Sequence, residues 1–248
     1  MDFVKSCYAG MILFTRIPLP SSFLLDRHFN KAINILPIIG CLLGFLSVIV
    51  FYLLQIIVSE NIAILFTLIF STIITGALHE DGLADTADAL FGGYTQRKRQ
   101  QILKDSRLGT FGVLALIFIF FTKWHLLDEF NLVLPLIFLF LHVLSRMTLP
   151  LIFLVCKNKM AKSGRMSGNI EFETIYFIVS IIIATSILCF FLPLTILITL
   201  LLIIFSFSWL ISAYFYQKIG IINGDCLGAI QQFSEILILL FFVVTQIH

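Results

Sequence analysis

The chain has 248 residues, of which 60% are hydrophobic and only 12% are charged, and its mean hydropathy is +1.07. Because soluble domains carry charge on about a quarter of their residues, this composition excludes an ordinary soluble protein, and the net charge of +2 alone indicates nothing. A helix needs roughly 20 apolar residues to cross about 30 Å of hydrocarbon. The uncharged runs 33–58 and 174–217 therefore predict an all-α polytopic membrane protein.

The N-terminal segment precedes the first long apolar run. Its apolar patch, 8–14, is followed by T-R-I-P-L-P and not by a small-residue cleavage site, which argues against a cleaved signal peptide. The segment is predicted to form a helix that lies in the membrane interface or re-enters the membrane from one side.

About seven transmembrane helices, within a range of six to eight, are predicted after this segment. The whole chain, 1–248, is expected to form a single integral membrane domain. The predicted spans are 33–59, 61–79, 109–127, 132–156, 173–191, 194–216 and 229–247.

Positive charge is distributed unequally between the predicted loops. Fourteen of the 16 Lys and Arg residues fall on one side of the predicted topology, and the opposite side has only tight turns. By the positive-inside rule the loaded side is cytoplasmic, and the C-terminus faces outward. Chemistry or binding is expected at the cytoplasmic face. The fourteen cations are Lys5, Arg16, Arg27, Lys31, Arg97, Lys98, Arg99, Lys104, Arg107, Lys157, Lys159, Lys162, Arg165 and Lys218.

An acidic stretch, H-E-D-G-L-A-D-T-A-D-A-L, follows the second predicted span at 79–90. Asp81, Asp85 and Asp88 are spaced i, i+4, i+7, so they share one face of a helix. Two such carboxylates about 6 Å apart repel by roughly 3 kcal/mol at an effective dielectric of about 20. Oxygen ligands without cysteine indicate a hard cation such as Mg²⁺. The alternative is a solvated acidic face opposite the basic run 97–99.

A second polar stretch, K-D-S-R-L-G-T-F-G at 104–112, lies just before the third predicted span. Lys104, Ser106 and Arg107, followed by glycines, can offer cations and amide donors to a phosphate. The alternative is a polar juxtamembrane turn whose cations extend toward the lipid headgroups.

A third stretch, I-N-G-D-C-L-G-A at 222–229, places Asp225 at the start of the last predicted span, where it can alternatively cap the helix. Carboxylates, basic loops and glycine turns on one face suggest metal-assisted phosphoryl-type transfer. The CDP-alcohol phosphotransferases offer a chemical analogy. The stretch D-G-L-A-D-T-A-D (81–88) looks like a compressed version of their D-G-x-x-A-R with further Asp residues, but it lacks their Arg and their full spacing.

Five blocks together resemble the cobalamin synthase family, the adenosylcobinamide-GDP ribazoletransferases, in order and in spacing across essentially the whole chain. The second and third blocks are the most specific. The blocks are F-T-R-I-P-L-P (14–20), H-E-D-G-L-A-D-T-A-D (79–88), K-D-S-R-L-G-T-F-G (104–112), S-R (145–146), and G-D-C-L-G-A with a trailing Glu (224–235).

The resemblance implies a reaction and its partners. Adenosylcobinamide-GDP and α-ribazole, or its 5′-phosphate, would give adenosylcobalamin, or its 5′-phosphate, and GMP, with Mg²⁺ as the cofactor. The enzyme would be a multi-pass protein of the bacterial inner membrane with its active site facing the cytoplasm. Self-association and contact with soluble enzymes of cobamide assembly are expected, and nucleic acid is not.

The resemblance also implies roles for individual residues. Asp81, Asp85 and Asp88 become metal ligands, and Glu80 or Asp225 completes the site. The residues expected to bind substrate phosphates are Arg16, Lys104, Ser106, Arg107 and Arg146.

Two residues are candidates for the general base. His79 titrates near neutrality and can accept a proton from the attacking hydroxyl, or it can be a helix-end histidine bonded to backbone. Asp105 can be the base instead, or it can orient Arg107.

The chain departs from the family pattern at three points. Ala89 follows Asp88 where a glycine is usual, Asn223 precedes Gly224, and Gln232 stands where the family commonly has a glutamate. Two other classes of function stay open: a transporter for a phosphorylated or corrinoid ligand, with sites accessible from both faces, and a scaffold for soluble enzymes.

Overall fold

A computed structural model describes residues 2–130, 134–160 and 171–245 of the chain. In these ranges the regular structure is α-helical, apart from two short 3₁₀ turns and an isolated bridge between Met160 and Ile222. The helices are α1 (Asp2–Phe14), α2 (Asp26–Asn30), α3 (Leu36–Gln55), α4 (Glu60–Thr75), α5 (Leu78–Gly92), α6 (Gln96–Ile102), α7 (Thr110–Asp128), α8 (Leu134–Met147), α9 (Leu149–Val155), α10 (Thr174–Cys189), α11 (Leu194–Ile219) and α12 (Gly224–Thr245).

The predicted all-α polytopic membrane fold is confirmed, but the number of full-length spans differs from seven. Within the described residues five segments are long and apolar enough to cross a membrane, or six if α4 and α5 count as one bent span. The predicted span 173–191 contains α10, which is apolar but has only 16 residues. The five segments are Ala32–Gln55, Thr110–Asp128, Pro135–Val155, Leu194–Ile219 and Gly224–Thr245.

The predicted span 61–79 is interrupted between α4 and α5, where the chain bends by 88°. Gly76 and Ala77 adopt left-handed backbone conformations with φ of 66° and 56°. Their N–H groups donate to the last carbonyls of α4, at Ile73 and Thr72. Glycine adopts this conformation freely, whereas a residue with a Cβ pays about 1–2 kcal/mol for it. The bend lets α5 start inside the bundle in a new direction.

Helix α3 packs closely against α8 because two glycines remove side chains from the contact. A Cβ on Gly40 would lie 2.5 Å from the carbonyl oxygen of His142, and a Cβ on Gly44 would lie 2.8 Å from the Cα of Leu139. The spacing Gly-x-x-x-Gly is the pattern that allows membrane helices to approach one another. This pair forms the core around which the polar helices are arranged.

Four helix ends meet at one end of the bundle, which we call the basic end. There α5 ends, α7 begins, α11 ends and α12 begins. Helix α6 closes this end, because three of its side chains donate to the last carbonyls of α11. These hydrogen bonds run from Gln96 to the oxygen of Gln217 (3.1 Å), from Arg99 to that of Lys218 (2.8 Å), and from Gln100 to that of Ile219 (2.8 Å).

Candidate active site

Helix α5 carries the acidic stretch and packs against α12 with almost no space between the two backbones. A Cβ on Gly82 would lie 2.9 Å from the Cα of Asp225, and a Cβ on Gly228 would lie 3.2 Å from the Cα of His79. The two helices therefore run antiparallel, and the start of α12 faces the first half of α5. This packing brings the second and fifth sequence blocks together.

Three of the predicted metal ligands lie near one another at this contact. Asp81 is exposed, and Asp85 and Asp225 are partly exposed. Asp85 is close enough to both of the others for their charges to interact. In the described ranges none of the three forms an ion pair with Lys or Arg. We call Asp81, Asp85 and Asp225 the acidic trio.

Asp225 does not cap α12, which was the alternative role open to it. The side-chain oxygen of Asn223 accepts the N–H of Cys226 (3.1 Å), and its amide nitrogen donates to Oδ2 of Asp225 (2.5 Å). Asn223 is therefore the residue that caps the helix. The same side chain fixes the orientation of the Asp225 carboxylate, whose other oxygen remains available to a ligand.

The acidic trio fits a hard divalent cation by the chemistry of its donors. Its ligand atoms are carboxylate oxygens, which Mg²⁺ prefers, and no protein cation compensates their charge. Their arrangement is not a preformed cage, because in the ranges 2–130, 134–160 and 171–245 no group of three or more His, Cys, Asp or Glu side chains has a metal-holding geometry. Bound ion and substrate would have to draw these side chains closer together.

Asp88, the third member of the predicted stripe, has a different environment. It is buried, its Oδ2 accepts the N–H of Gly109 (2.7 Å) and its Oδ1 accepts the N–H of Gly112 (2.8 Å). Both amides lie at the N-terminus of α7, where N–H groups have no carbonyl partner within the helix. The helix dipole also favours a carboxylate there. The predicted metal ligand is thus engaged as a helix cap, and it joins the third sequence block to α5.

The third block presents its cations to solvent. Arg107 is 87% exposed, and Lys104 and Ser106 are exposed as well. Asp105 accepts from Arg107 at Oδ1 (Nε, 3.0 Å) and at Oδ2 (Nη2, 2.7 Å), and these hydrogen bonds lower the pKa of Asp105 to about 2. So weak a base suits the second of its two predicted roles, which is to orient Arg107.

Arg16 lies beside the bend that precedes α5. Its backbone N–H donates to the oxygen of Ile74 (2.6 Å), and its side chain crosses Gly76, where a Cβ would lie 2.9 Å from its Cγ. Since the Arg16 side chain is exposed, it can reach an anionic ligand at the N-terminal side of α5. The first sequence block therefore joins the same region as the second.

The other predicted site residues lie inside the bundle and not with the acidic trio. Arg146 is 1% exposed and lies 3.7 Å from Glu235 and 3.1 Å from Nδ1 of His142. In this buried position Arg146 does not reach the acidic trio, where a substrate phosphate is expected. The reason is that α8 is the central helix of the bundle, so its polar side chains face other helices.

His79 and Glu80 are buried and point inward. Asp81, the next residue, is exposed because each residue of a helix is rotated by about 100° from the one before it. Glu80 Oε1 accepts from Gln232 (3.1 Å), which takes it away from the acidic trio and from the predicted metal role. His79 is buried, and within the described structure its side chain makes no hydrogen bond, either to backbone or to an acceptor beside the trio. Neither predicted role of His79 is observed.

Glu80 belongs to a buried network, three of whose other members, Lys123, Gln232 and Glu235, were not predicted as site residues. Lys123 of α7 pairs with Glu235 and donates to Gln232 Oε1 (2.5 Å), and Gln231 donates to Glu235 and to Ser145 (3.1 Å). The sequence signal that could have found Lys123 and Glu235 is charge within an apolar span, which marks functional residues in membrane proteins. We call Glu80, Lys123, Arg146, Gln232 and Glu235 the buried charge cluster.

The buried charge cluster surrounds a small cavity. Its volume is about 20 Å³, which is enough for a water molecule. Two buried atoms of residues that line it, Glu80 Oε2 and Arg146 Nε, have no hydrogen-bond partner in the described structure. The hydroxyl residues Ser71, Thr72 and Thr75 of α4 line the same space.

Comparison with known proteins supports a family assignment for nearly the whole chain. A family model described as cobalamin-5-phosphate synthase matches residues 6–243. A protein of Shewanella frigidimarina named adenosylcobinamide-GDP ribazoletransferase is 36% identical, with 92% of this chain and 90% of the relative covered. A protein of Caldanaerobacter subterraneus with the same name is 34% identical, with 98% and 99% covered. No solved structure matches the chain. The chain belongs to the cobalamin-5-phosphate synthase family.

Proposed function

We propose that this chain is an adenosylcobinamide-GDP ribazoletransferase that completes the nucleotide loop of cobalamin. A hydroxyl of α-ribazole, or of its 5′-phosphate, attacks the phosphorus on the cobinamide side of the diphosphate. One P–O bond forms, the anhydride P–O bond breaks, GMP leaves, and the hydroxyl proton is released. The family match and the names of relatives about 35% identical over nearly the whole chain support this reaction.

The observation that carries the site assignment is the acidic trio, contributed by two helices and uncompensated by protein cations. We propose that it holds Mg²⁺ where the diphosphate binds. When bound, such an ion neutralises charge on the reacting phosphate and the leaving group. Asp81 and Asp85 would approach the ion from α5, and Asp225 from α12.

We propose that three exposed cations bind the phosphates of the substrate. Arg107 is held by Asp105 in a fixed orientation, which lowers the entropy lost when it binds an anion. Lys104 belongs to the same loop, and Arg16 approaches from the other end of α5. Neither His79 nor Asp105 is placed to accept the proton of the hydroxyl, so the proposal assigns that step to neither.

We further propose that the basic end faces the cytoplasm and that the membrane is the bacterial inner membrane. The distribution of fourteen of the 16 Lys and Arg residues supports this orientation. Lys162 and Arg165, which contribute to it, lie outside the described residues. Self-association and contact with soluble enzymes of cobamide assembly stay predictions.

The reaction can be tested with purified protein in liposomes that is given adenosylcobinamide-GDP, α-ribazole and Mg²⁺. GMP and the joined corrinoid should appear in equal amounts, and chelation of the metal should stop both. Asp81→Asn should lower the rate at least about 100-fold, on the scale of losing a metal-site group. The matched control is Asp128→Asn, an exposed aspartate at the opposite end of α7. Equal rates in the two variants would remove the acidic trio from the reaction.

The buried charge cluster is the one observation that favours the transporter alternative, because transporters place polar groups near the membrane midplane. Both of its cations, Lys123 and Arg146, are however paired with Glu235, and the family match favours the enzyme. Protein reconstituted into the membrane of liposomes distinguishes the two functions, because uptake of corrinoid and release of GMP can be measured on the same sample. Uptake of labelled corrinoid without release of GMP would support transport and contradict the proposed reaction.

A further inference from the structure

Glu80 is adjacent to Asp81 in the sequence, yet the two side chains serve different surroundings. Asp81 is exposed in the acidic trio, whereas Glu80 is 9% exposed and faces α4 and α12. Its Oε1 accepts from Gln232 of α12 (3.1 Å) and lies 3.5 Å from the hydroxyl of Thr72 on α4. Glu80 therefore connects α5 to both α4 and α12.

The position of Glu80 is fixed by charges that come from deeper in the membrane. Gln232 donates to Glu80 while it accepts from Lys123 (2.5 Å), and Lys123 pairs with Glu235. Glu235 follows the start of α12 by three turns, or about 16 Å, which is near the middle of the hydrocarbon layer. A buried hydrogen-bonded chain at that depth is costly to break, since water cannot replace a lost partner.

Elsewhere the contact between α5 and α12 is made by small and apolar residues. Leu83 of α5 lies in the same apolar cluster as Leu227 and Ile230 of α12. At Gly82 and Gly228 the backbones meet without side chains that would interlock. Such contacts permit close approach, but they are not directional, so they resist small rotations and small shifts along the helix axis less than a hydrogen bond does. The hydrogen bond between Glu80 and Gln232 supplies that resistance, because it is directional and joins one residue of each helix.

We propose that Glu80 is a positioning residue, which sets the register of α5 against α12 from inside the membrane and thereby places Asp81 and Asp85 opposite Asp225. It does not touch the proposed metal ion. The cavity beside it has room for one water between Glu80 Oε2 and Arg146 Nε, the two unpartnered atoms. Such a water would tie Glu80 to α8 as well.

The test compares Glu80→Ala with Glu80→Gln by amide hydrogen–deuterium exchange of residues 78–92 in the metal-free protein. Glu80→Ala removes the acceptor for Gln232, so exchange along α5 should rise at least about tenfold. Glu80→Gln keeps an acceptor oxygen, so exchange should stay within about threefold of the parent protein. Ser234→Ala is the matched control, because it removes a buried hydroxyl of α12 that meets Ser208 of α11 (3.3 Å) and not α5.

A second readout is the Mg²⁺ concentration that gives half-maximal transferase activity, and this part rests on the proposed function. Loss of a residue that orients metal ligands costs 10–100-fold in metal affinity, so Glu80→Ala should raise this concentration by about that factor. A purely structural loss would lower the fraction of active protein, and hence kcat, without changing that concentration. Unchanged half-saturation and unchanged exchange in Glu80→Ala would overturn the proposal.

Direct ligation by Glu80 predicts the opposite pattern. Glu80→Gln would then weaken metal activation as much as Glu80→Ala, and neither substitution would change exchange in the metal-free protein. Should Glu80→Ala fail to fold, Gln232→Met removes the other partner of the same hydrogen bond and is expected to give the same two shifts. If the parent protein releases no GMP, the proposed function fails, while the exchange comparison still decides the role of Glu80.

Discussion

The acidic trio and the buried charge cluster contain the same kinds of side chain in opposite settings. In the trio, like charges lie together near the solvent and no cation pairs with them. In the cluster, Lys123 and Arg146 pair with Glu235 away from water, and Glu80 accepts a hydrogen bond from Gln232. Two buried atoms, Glu80 Oε2 and Arg146 Nε, have no partner among the described residues. Charge without a counter-ion in the described structure is the basis for the metal site proposed at the trio, whereas the ion pairs of the cluster join α7, α8 and α12.

Breaking the cluster should have the largest effect on folding. Glu235→Leu leaves Lys123 buried without its partner, and loss of one partner of a buried pair costs about 3–5 kcal/mol. Lys123→Met combined with Glu235→Leu should recover a large part of that loss. Denaturant unfolding in detergent measures both. A cost below about 1 kcal/mol for the single change would mean that the pair is not the central contact of the cluster.

Removing one charge from the acidic trio should lower activity without lowering stability. Asp85→Asn is expected to lower the transfer rate at least about 100-fold. It should leave the stability of the metal-free protein unchanged or raise it by up to about 1 kcal/mol, because repulsion from Asp81 and Asp225 falls. Parallel rate and unfolding measurements decide. A large loss of stability would place Asp85 with the structural charges instead.

Arg107 offers a test of the exposed region that does not involve the trio. Arg107→Ala should lower the rate by two orders of magnitude, on the scale of removing a donor that stabilises developing charge. Arg97→Ala is the matched control, since Arg97 is also exposed near the basic end. Steady-state rates at saturating substrate give the comparison. If both variants keep normal rates, the third block is a structural turn.

A smaller effect is expected at Asp105. Because Arg107 lowers its pKa from the usual 3.8 to about 2, the interaction is fully present above pH 3.8 and is lost only as the pH falls through about 2. Asp105→Asn should therefore reduce the rate about tenfold through a less ordered Arg107, with the same pH profile between about pH 5 and 9. Loss of the acid limb of that profile would make Asp105 a titrating group of the reaction.

The smallest effect is expected at the bend before α5. Ala77→Gly relieves a left-handed alanine and should leave stability unchanged or raise it by up to about 1 kcal/mol. Ala77→Val places a branched side chain in that conformation and should lower stability by more than this. Thermal unfolding in detergent ranks the three proteins. A stabilised Val variant would be incompatible with the observed backbone.

The sequence predicts Asp81 and Asp85 correctly as neighbours on one helix face because that relation depends only on helical spacing. It cannot show that Asp88, on the same face, caps a helix whose free amides come 21 and 24 residues later. The bend at Ala77 escapes prediction for a related reason, since a glycine is ordinary in membrane helices and alanine has no preference for a left-handed backbone.

The buried charge cluster shows a second limit of prediction from the sequence. Lys123, Arg146 and Glu235 are charges inside apolar spans, but the sequence does not show that they meet. The cluster that contains them is contributed by four helices, α5, α7, α8 and α12. The family resemblance assigns Glu80 to the metal site and Arg146 to the substrate phosphates because these residues belong to the second and fourth sequence blocks. Only packing shows that both point away from the acidic trio.

The capping of α7 by Asp88 has a practical consequence. It fastens the start of α7 to α5, and α6 is fastened to the end of α11, so these contacts hold the helices in place without help from the short connection around Tyr94. Tyr94 is 93% exposed. A small epitope inserted there should leave the enzyme working, and antibody access to it in sealed vesicles would report which compartment this surface meets.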